Sequence, residues 1–159
     1  TFNGAFLEVP VEFTNGLQGK TYGIETAVVW QMLDWWRCDL NYSWLRTEMD
    51  SNITDRQTSI SPEQRVSVRS ALSPRDDIDL DFWFRYVDSN FATATNGDGH
   101  IKAYVTLDLR LAWRPIKNLE LSLVGQNLLA QKHLEYVQEI NTSPTAIDRG
   151  MYGKISFGF

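Results

Sequence analysis

Cysteine is almost missing from this chain of 159 residues: Cys38 stands alone, so no internal disulfide staples the fold. Histidine occurs twice, at His100 and His133, too few for a histidine-rich metal site. No run of about 18 apolar residues exists, which excludes a transmembrane helix. The opening "TFNGAFLEVP" has neither a basic stretch nor an apolar core of the kind that starts a secretory leader. A net charge of -5 gives no support to a nucleic-acid partner. No low-complexity segment or domain linker breaks the chain, so it reads as one segment over 1–159.

Alternation is what the chain has in quantity. In "AYVTLDLRLAW", the residues Ala103, Val105, Leu107, Leu109, Leu111 and Trp113 share one parity. Tyr104, Thr106, Asp108, Arg110 and Ala112 share the other. A period of two is the signature of a strand, whereas a helix needs spacings of three and four. The pattern recurs and predicts an all-β, antiparallel up-and-down meander of eight strands. The first runs from near Ala5 to Lys20. The others follow in "TYGIETAVVWQ", "RCDLNYSWLRTEM", "RVSVRSAL", "IDLDFWFRYVD", the Ala103 stretch, "LELSLVGQNLL" and "YGKISFGF". Short turns are expected at "MLDWW", "SPRDD" and "PIKN". Longer polar loops are expected at "TNGLQGK", "DSNITDRQTSISPE", "SNFATATNGDGH" and from about Gln131 to Asp148. Short turns at one end and long loops at the other are the habit of outer-membrane barrels.

The two faces differ in chemistry. One carries Ile24, Val28, Leu40, Tyr42, Val66, Val68, Leu80, Phe82, Leu107, Leu109, Leu121 and Leu123, with Cys38 among them. Aromatics bound this band: Trp30, Trp36, Trp113 and Phe159 towards the short turns, Tyr22, Trp44 and Tyr86 towards the long loops. Trp and Tyr favour a membrane interface because one end of the side chain is apolar and the other polar. These six, Trp30, Trp36, Trp113, Tyr22, Trp44 and Tyr86, are the expected interface aromatics. The opposite face carries Glu25, Arg37, Asp39, Arg65, Arg69, Asp79, Asp81, Arg85, Lys102, Asp108, Arg110, Arg114, Glu120 and Lys154. Mixed signs on neighbouring strands predict cross-strand pairs, with Asp79 and Asp81 meeting Arg69 or Arg110. A soluble sheet or a lipocalin-like barrel also has one polar and one apolar face, but the two aromatic edges favour a transmembrane β-barrel.

No catalytic set emerges. No G-x-S-x-G supports a nucleophile. "NGDG" before His100 holds only Asp98 as an acid, against the several that a calcium loop needs, and reads as a turn. His133 reads as a solvated loop residue. Asn41, Asn52 and Asn141 open N-x-S/T triplets, a short pattern without meaning in a bacterial barrel. The expectation is therefore no enzyme, no cofactor and no metal.

The stretches "NGLQGKTYGIE", "WRPIKNLELSLVGQNLL", "HLE" and "RGMYGKISFGF" resemble the C-terminal barrel strands of TonB-dependent outer-membrane receptors, over about Ala5 to Phe159. The resemblance implies a barrel of about 22 strands with a plug inside, of which this chain is the last eight strands without the plug. Alone, the eight strands could close as a small barrel. It also implies import of a scarce ligand (a metal chelate, haem, cobalamin or a glycan) in the bacterial outer membrane. The ligand itself and its binding residues are not legible. The implied partners are outer-membrane lipid, the rest of the barrel and plug, TonB through that plug, and the barrel-assembly machinery. Phe159, Phe157, Ile155 and Met151 resemble the terminal signal that this machinery reads. The competing expectation is a complete eight-stranded outer-membrane barrel with an adhesin, lipid-binding or anchoring role.

Overall fold

A computed structural model describes residues 2–3, 6–7, 18–50, 61–91, 99–129, 132–135 and 146–158. They form thirteen strands and no helix: β1 (Phe2–Asn3), β2 (Phe6–Leu7), β3 (Gln18–Leu33), β4 (Trp36–Asp50), β5 (Gln64–Arg75), β6 (Ile78–Val87), β7 (Asn90–Phe91), β8 (His100–Ile101), β9 (Tyr104–Ile116), β10 (Leu119–Gln126), β11 (Lys132–His133), β12 (Ile147–Asp148) and β13 (Gly150–Phe157). Seven long strands build one wall in the order β13-β10-β9-β6-β5-β4-β3, every neighbour antiparallel. The short strands pair off as β1-β2, β7-β8 and β11-β12.

The alternation of the sequence becomes the two faces of this wall. Directly paired residues point the same way, so register carries each face across the strands. One row runs Val28, Leu40, Val68, Phe84, Leu107. The next position along runs Val29, Asp39, Arg69, Trp83, Asp108. The first row belongs to an apolar face, called outer below, and the second to a polar, inner face.

Three short turns fall at Asp34–Trp35, Asp76–Asp77 and Lys117–Asn118, inside the expected stretches. Each hooks onto the next strand of the wall. The carbonyls of Trp35, Asp77 and Asn118 accept from the amides of Ser73, Arg114 and Gly158. Pairing is irregular beside every one of these turns, between Gln31 and Leu33, Leu72 and Arg75, and Leu119 and Leu121. Such irregularities are frequent at barrel rims, where they bend and twist the sheet. The long connections lie at the other end.

Among the described residues the wall has seven strands where eight were expected. Gln18–Lys20, placed at the end of the first expected strand, instead opens β3. Phe6–Leu7 turns back on Phe2–Asn3, and residues 8–17 lie outside the described ones. The sheet is open, with β3 and β13 at opposite edges. β3 and β13, the first and last strands of this seven-stranded antiparallel order, run parallel to each other and cannot be joined by an antiparallel ladder. Lys102, expected on the polar face, lies in the connection before β9.

Candidate functional site

The inner face divides into two zones along the strands. Near the short turns, charges form one continuous network across β5, β6, β9 and β10. Arg69 lies 3.8 Å from Asp81, whose other oxygen accepts from Arg110 at 2.9 Å. Arg110 also reaches Glu120 at 2.9 Å, and Glu120 meets Arg114 at 3.4 Å. Arg114 pairs with Asp79, which also accepts from Ser73 Oγ at 2.7 Å. Three arginines and three carboxylates therefore neutralise one another. Ala112, between Asp79 and Ser122 in the rows, is fully buried beneath this zone. Asp81 meets both Arg69 and Arg110, as the alternation predicts, whereas Asp79 takes Arg114, a partner set by register.

Towards the long loops the inner face opens into a groove of about 480 Å³, within the range of small-molecule clefts. Inner-face residues Glu25, Asn41, Ser43, Arg65, Ser67, Trp83 and Arg85 line it. Trp83 donates its indole N–H to Ser67 Oγ at 2.8 Å. The Arg85 guanidinium lies 4.6 Å over the Trp83 ring and donates to Asp108 at 2.8 Å. That combination offers a ligand an aromatic surface, a cation and several hydroxyl and amide groups. Trp83 was not singled out from sequence. Its parity with Asp79, Asp81 and Arg85 carries the signal: a tryptophan on the charged side of a strand.

The segment after β10 folds back onto this same face. Asn127 adopts a positive φ of 54° and donates its amide to Asp108 Oδ1 at 2.8 Å. The Asn127 side-chain amide reaches the Ile147 carbonyl at 3.2 Å. His133 pairs with Ile147 through β11 and β12. Its ring stacks on Tyr104 with centroids 4.3 Å apart, and its Nε2 lies 2.9 Å from Glu135. The expectation of a solvated His133 is thereby corrected: the residue is 9% exposed. The contact is non-local, so nothing in the local polarity of "QKHLE" announces it. The stretch 92–98, with the expected Asn-Gly turn and Asp98, lies outside the described residues. Among the described residues no cluster of His, Cys, Asp and Glu has a metal-binding arrangement.

The outer face presents a broad apolar surface, with Ile24, Val28, Leu40, Phe82, Leu111, Leu123 and Ile155 all exposed. Trp30, Trp36 and Trp113 stand at its short-turn end, and Trp36 donates to Ser70 Oγ at 2.9 Å. Tyr22, Trp44 and Tyr86 stand at its long-loop end. Tyr22 packs edge-on against Trp44 at 5.9 Å, and its hydroxyl donates to Glu48 at 2.7 Å. The Tyr86 hydroxyl reaches Asp88 at 3.3 Å. Cys38 sits between Trp30 and Ser70 in the rows and is nearly buried. Met151, Ile155 and Phe157 lie exposed along β13 on this face, opposite Gly125, Leu121 and Leu119. Phe159 lies outside the described residues.

Comparison with solved structures gives the same wall. The ferric-catecholate import receptor Fiu of Escherichia coli K12, in its closed form, superposes with a TM-score of 0.77 at 18% identity, covering 89% of this chain and 21% of that one. The siderophore receptor PiuA of Acinetobacter baumannii gives 0.71 at 18% identity, covering 87% and 22%. The ferripyoverdine receptor of the Pseudomonas aeruginosa outer membrane gives 0.72 at 14% identity, covering 89% and 20%. The chain thus spans about a fifth of the length of these receptors. No curated protein matches it. The family model described as TonB dependent receptor-like, beta-barrel matches residues 3–128. With most of its length under that match, the chain belongs to the TonB-dependent receptor-like β-barrel family.

Proposed function

We propose that this chain forms a section of the barrel wall of an outer-membrane receptor that imports a scarce ligand, with a ferric chelate as the favoured class. The family match over residues 3–128 carries this reading. The division of the wall supports it: an apolar face fits lipid, and a charged face fits a polar lumen. The short turns then face the periplasm and the long loops the outside. The rest of the barrel, the plug and TonB acting through that plug complete the machine, which works in transport rather than catalysis. The groove over Trp83 and Arg85 is a section of inner wall that the ligand meets on its way in. The six outer-face aromatics Tyr22, Trp30, Trp36, Trp44, Tyr86 and Trp113 anchor the wall at the two membrane interfaces.

On the same reading, Met151, Ile155, Phe157 and Phe159 are the handle taken by the barrel-assembly machinery before they face lipid. The alternation of outward apolar side chains on β13 supports that role.

Uptake of radiolabelled ferric chelates under iron limitation tests the transport reading. Cells lacking the gene lose uptake of at least one chelate, and the restored gene returns it. Unchanged uptake across ferric chelates, haem, cobalamin and glycans would reject an import role.

A further inference from the structure

Four buried side-chain atoms lack a partner among the described residues: Arg85 Nε, Thr106 Oγ1, Asn127 Oδ1 and His133 Nδ1. Their positions are linked by register and hydrogen bonds. Thr106 is the direct cross-strand partner of Arg85. Asp108, two residues along the same face, is held by Arg85 at 2.8 Å and by the Asn127 amide at 2.8 Å. Tyr104, two residues the other way, carries the stacked ring of His133. Thr106 is 2% exposed and Asn127 is 4% exposed. A buried polar atom left unpaired costs about 1–3 kcal/mol, and native proteins rarely leave several together.

We propose that the returning chain, at Asn127 and His133, packs over a structural water, or a short chain of them, bound by these four groups. The donor and acceptor inventory fits water. Arg85 Nε only donates and Asn127 Oδ1 only accepts, while the threonine hydroxyl and the imidazole nitrogen do either. A water molecule has two donors and two acceptors and is held in proteins by two to four polar partners. A cation is disfavoured by the adjacent Arg85 guanidinium, and an anion by Asp108. The bound water seats the returning segment on β9. It also ties that segment to Arg85, whose guanidinium covers Trp83 in the groove. The inference stands on packing and does not depend on what the protein transports.

Crystals of the whole protein, at a resolution that orders individual waters, test it first. Density is expected within hydrogen-bonding distance of Thr106 Oγ1 and at least two of the other three atoms. No density there, or direct bonds among the four groups, overturns the proposal. Amide hydrogen exchange over residues 127–135 tests it a second way. Thr106→Val keeps the shape and removes the hydroxyl, and exchange is expected to become roughly tenfold faster. Thr106→Ser is expected to keep the wild-type rate. Equal rates in Thr106→Val and wild type would mean that the segment is seated without the water.

Discussion

Arg110 is the hub of the inner network, bridging Asp81 on β6 and Glu120 on β10 at 2.9 Å each. Its partners are only partly shielded, so each contact by itself contributes about 0–1 kcal/mol. Removing the hub leaves two carboxylates without their shared cation, which is worse than losing a contact. Arg110→Gln is expected to lower unfolding stability by about 1–3 kcal/mol, read from denaturant unfolding in micelles. An unchanged midpoint would mean that water replaces the guanidinium without cost. At Gly23 the constraint is steric. A Cβ there would collide with the Trp44 carbonyl oxygen across the strand, and backbone cannot give way as a side-chain tip can. Gly23→Ala is therefore expected to cost about 1–3 kcal/mol by the same assay. Trp83 carries the exposed aromatic surface of the groove. If the groove meets an imported ligand as proposed, Trp83→Ala is expected to weaken its binding roughly tenfold in an equilibrium titration, while the wall remains folded. Equal affinity would remove Trp83 from the ligand's path.

At the scale of the element, alternation is the property under test. Leu40 and Asn41 are neighbours on β4 and face opposite ways, paired with Val28 and Ala27 on β3. If the outer face meets lipid, Leu40→Lys is expected to cost about 2–4 kcal/mol, because a charge near mid-bilayer loses its hydration. Asn41→Lys adds the same charge to the polar face and is expected to stay within about 0.5 kcal/mol. The difference between the two, measured by unfolding in lipid vesicles, is the informative quantity. Similar costs at both positions would mean that both faces meet the same surroundings. The strands themselves were readable in sequence because period two is a local property of the chain. The irregular pairing beside each short turn was not readable. It arises from fitting a two-residue turn to a twisted sheet, and no residue type in "MLDWW", "SPRDD" or "PIKN" prescribes it.

For the whole molecule, the two outermost strands of the wall dominate. Among the described residues, β3 and β13 each have a neighbouring strand of the wall on one side only. In hydrocarbon an unsatisfied edge costs several kcal/mol per group, which is why membrane sheets close. Residues 1–159 alone are therefore expected to stay without the compact, heat-resistant form that a closed barrel shows on unboiled gels. They associate through their edges instead. If the proposed receptor barrel has further strands, supplying them in trans is expected to restore the compact form. A compact monomer of residues 1–159 alone would show that the chain finds another way to close.

The sequence alone determined the seven long strands of the wall, their two faces, the sorting of short turns from long loops and the aromatic edges of the apolar band. All of these follow from side chains alternating along an extended backbone. It also carried Trp83's side of the sheet, through the parity that Trp83 shares with Asp81 and Arg85. Only the tertiary structure decided which charges meet, since Arg114 and Asp79 are 35 residues apart in the chain and are joined by register. Only it showed His133 stacked on Tyr104 and Asn127 bound to Asp108. Those contacts depend on where a long segment returns, and a returning segment is guided by the wall it lands on rather than by its own residues.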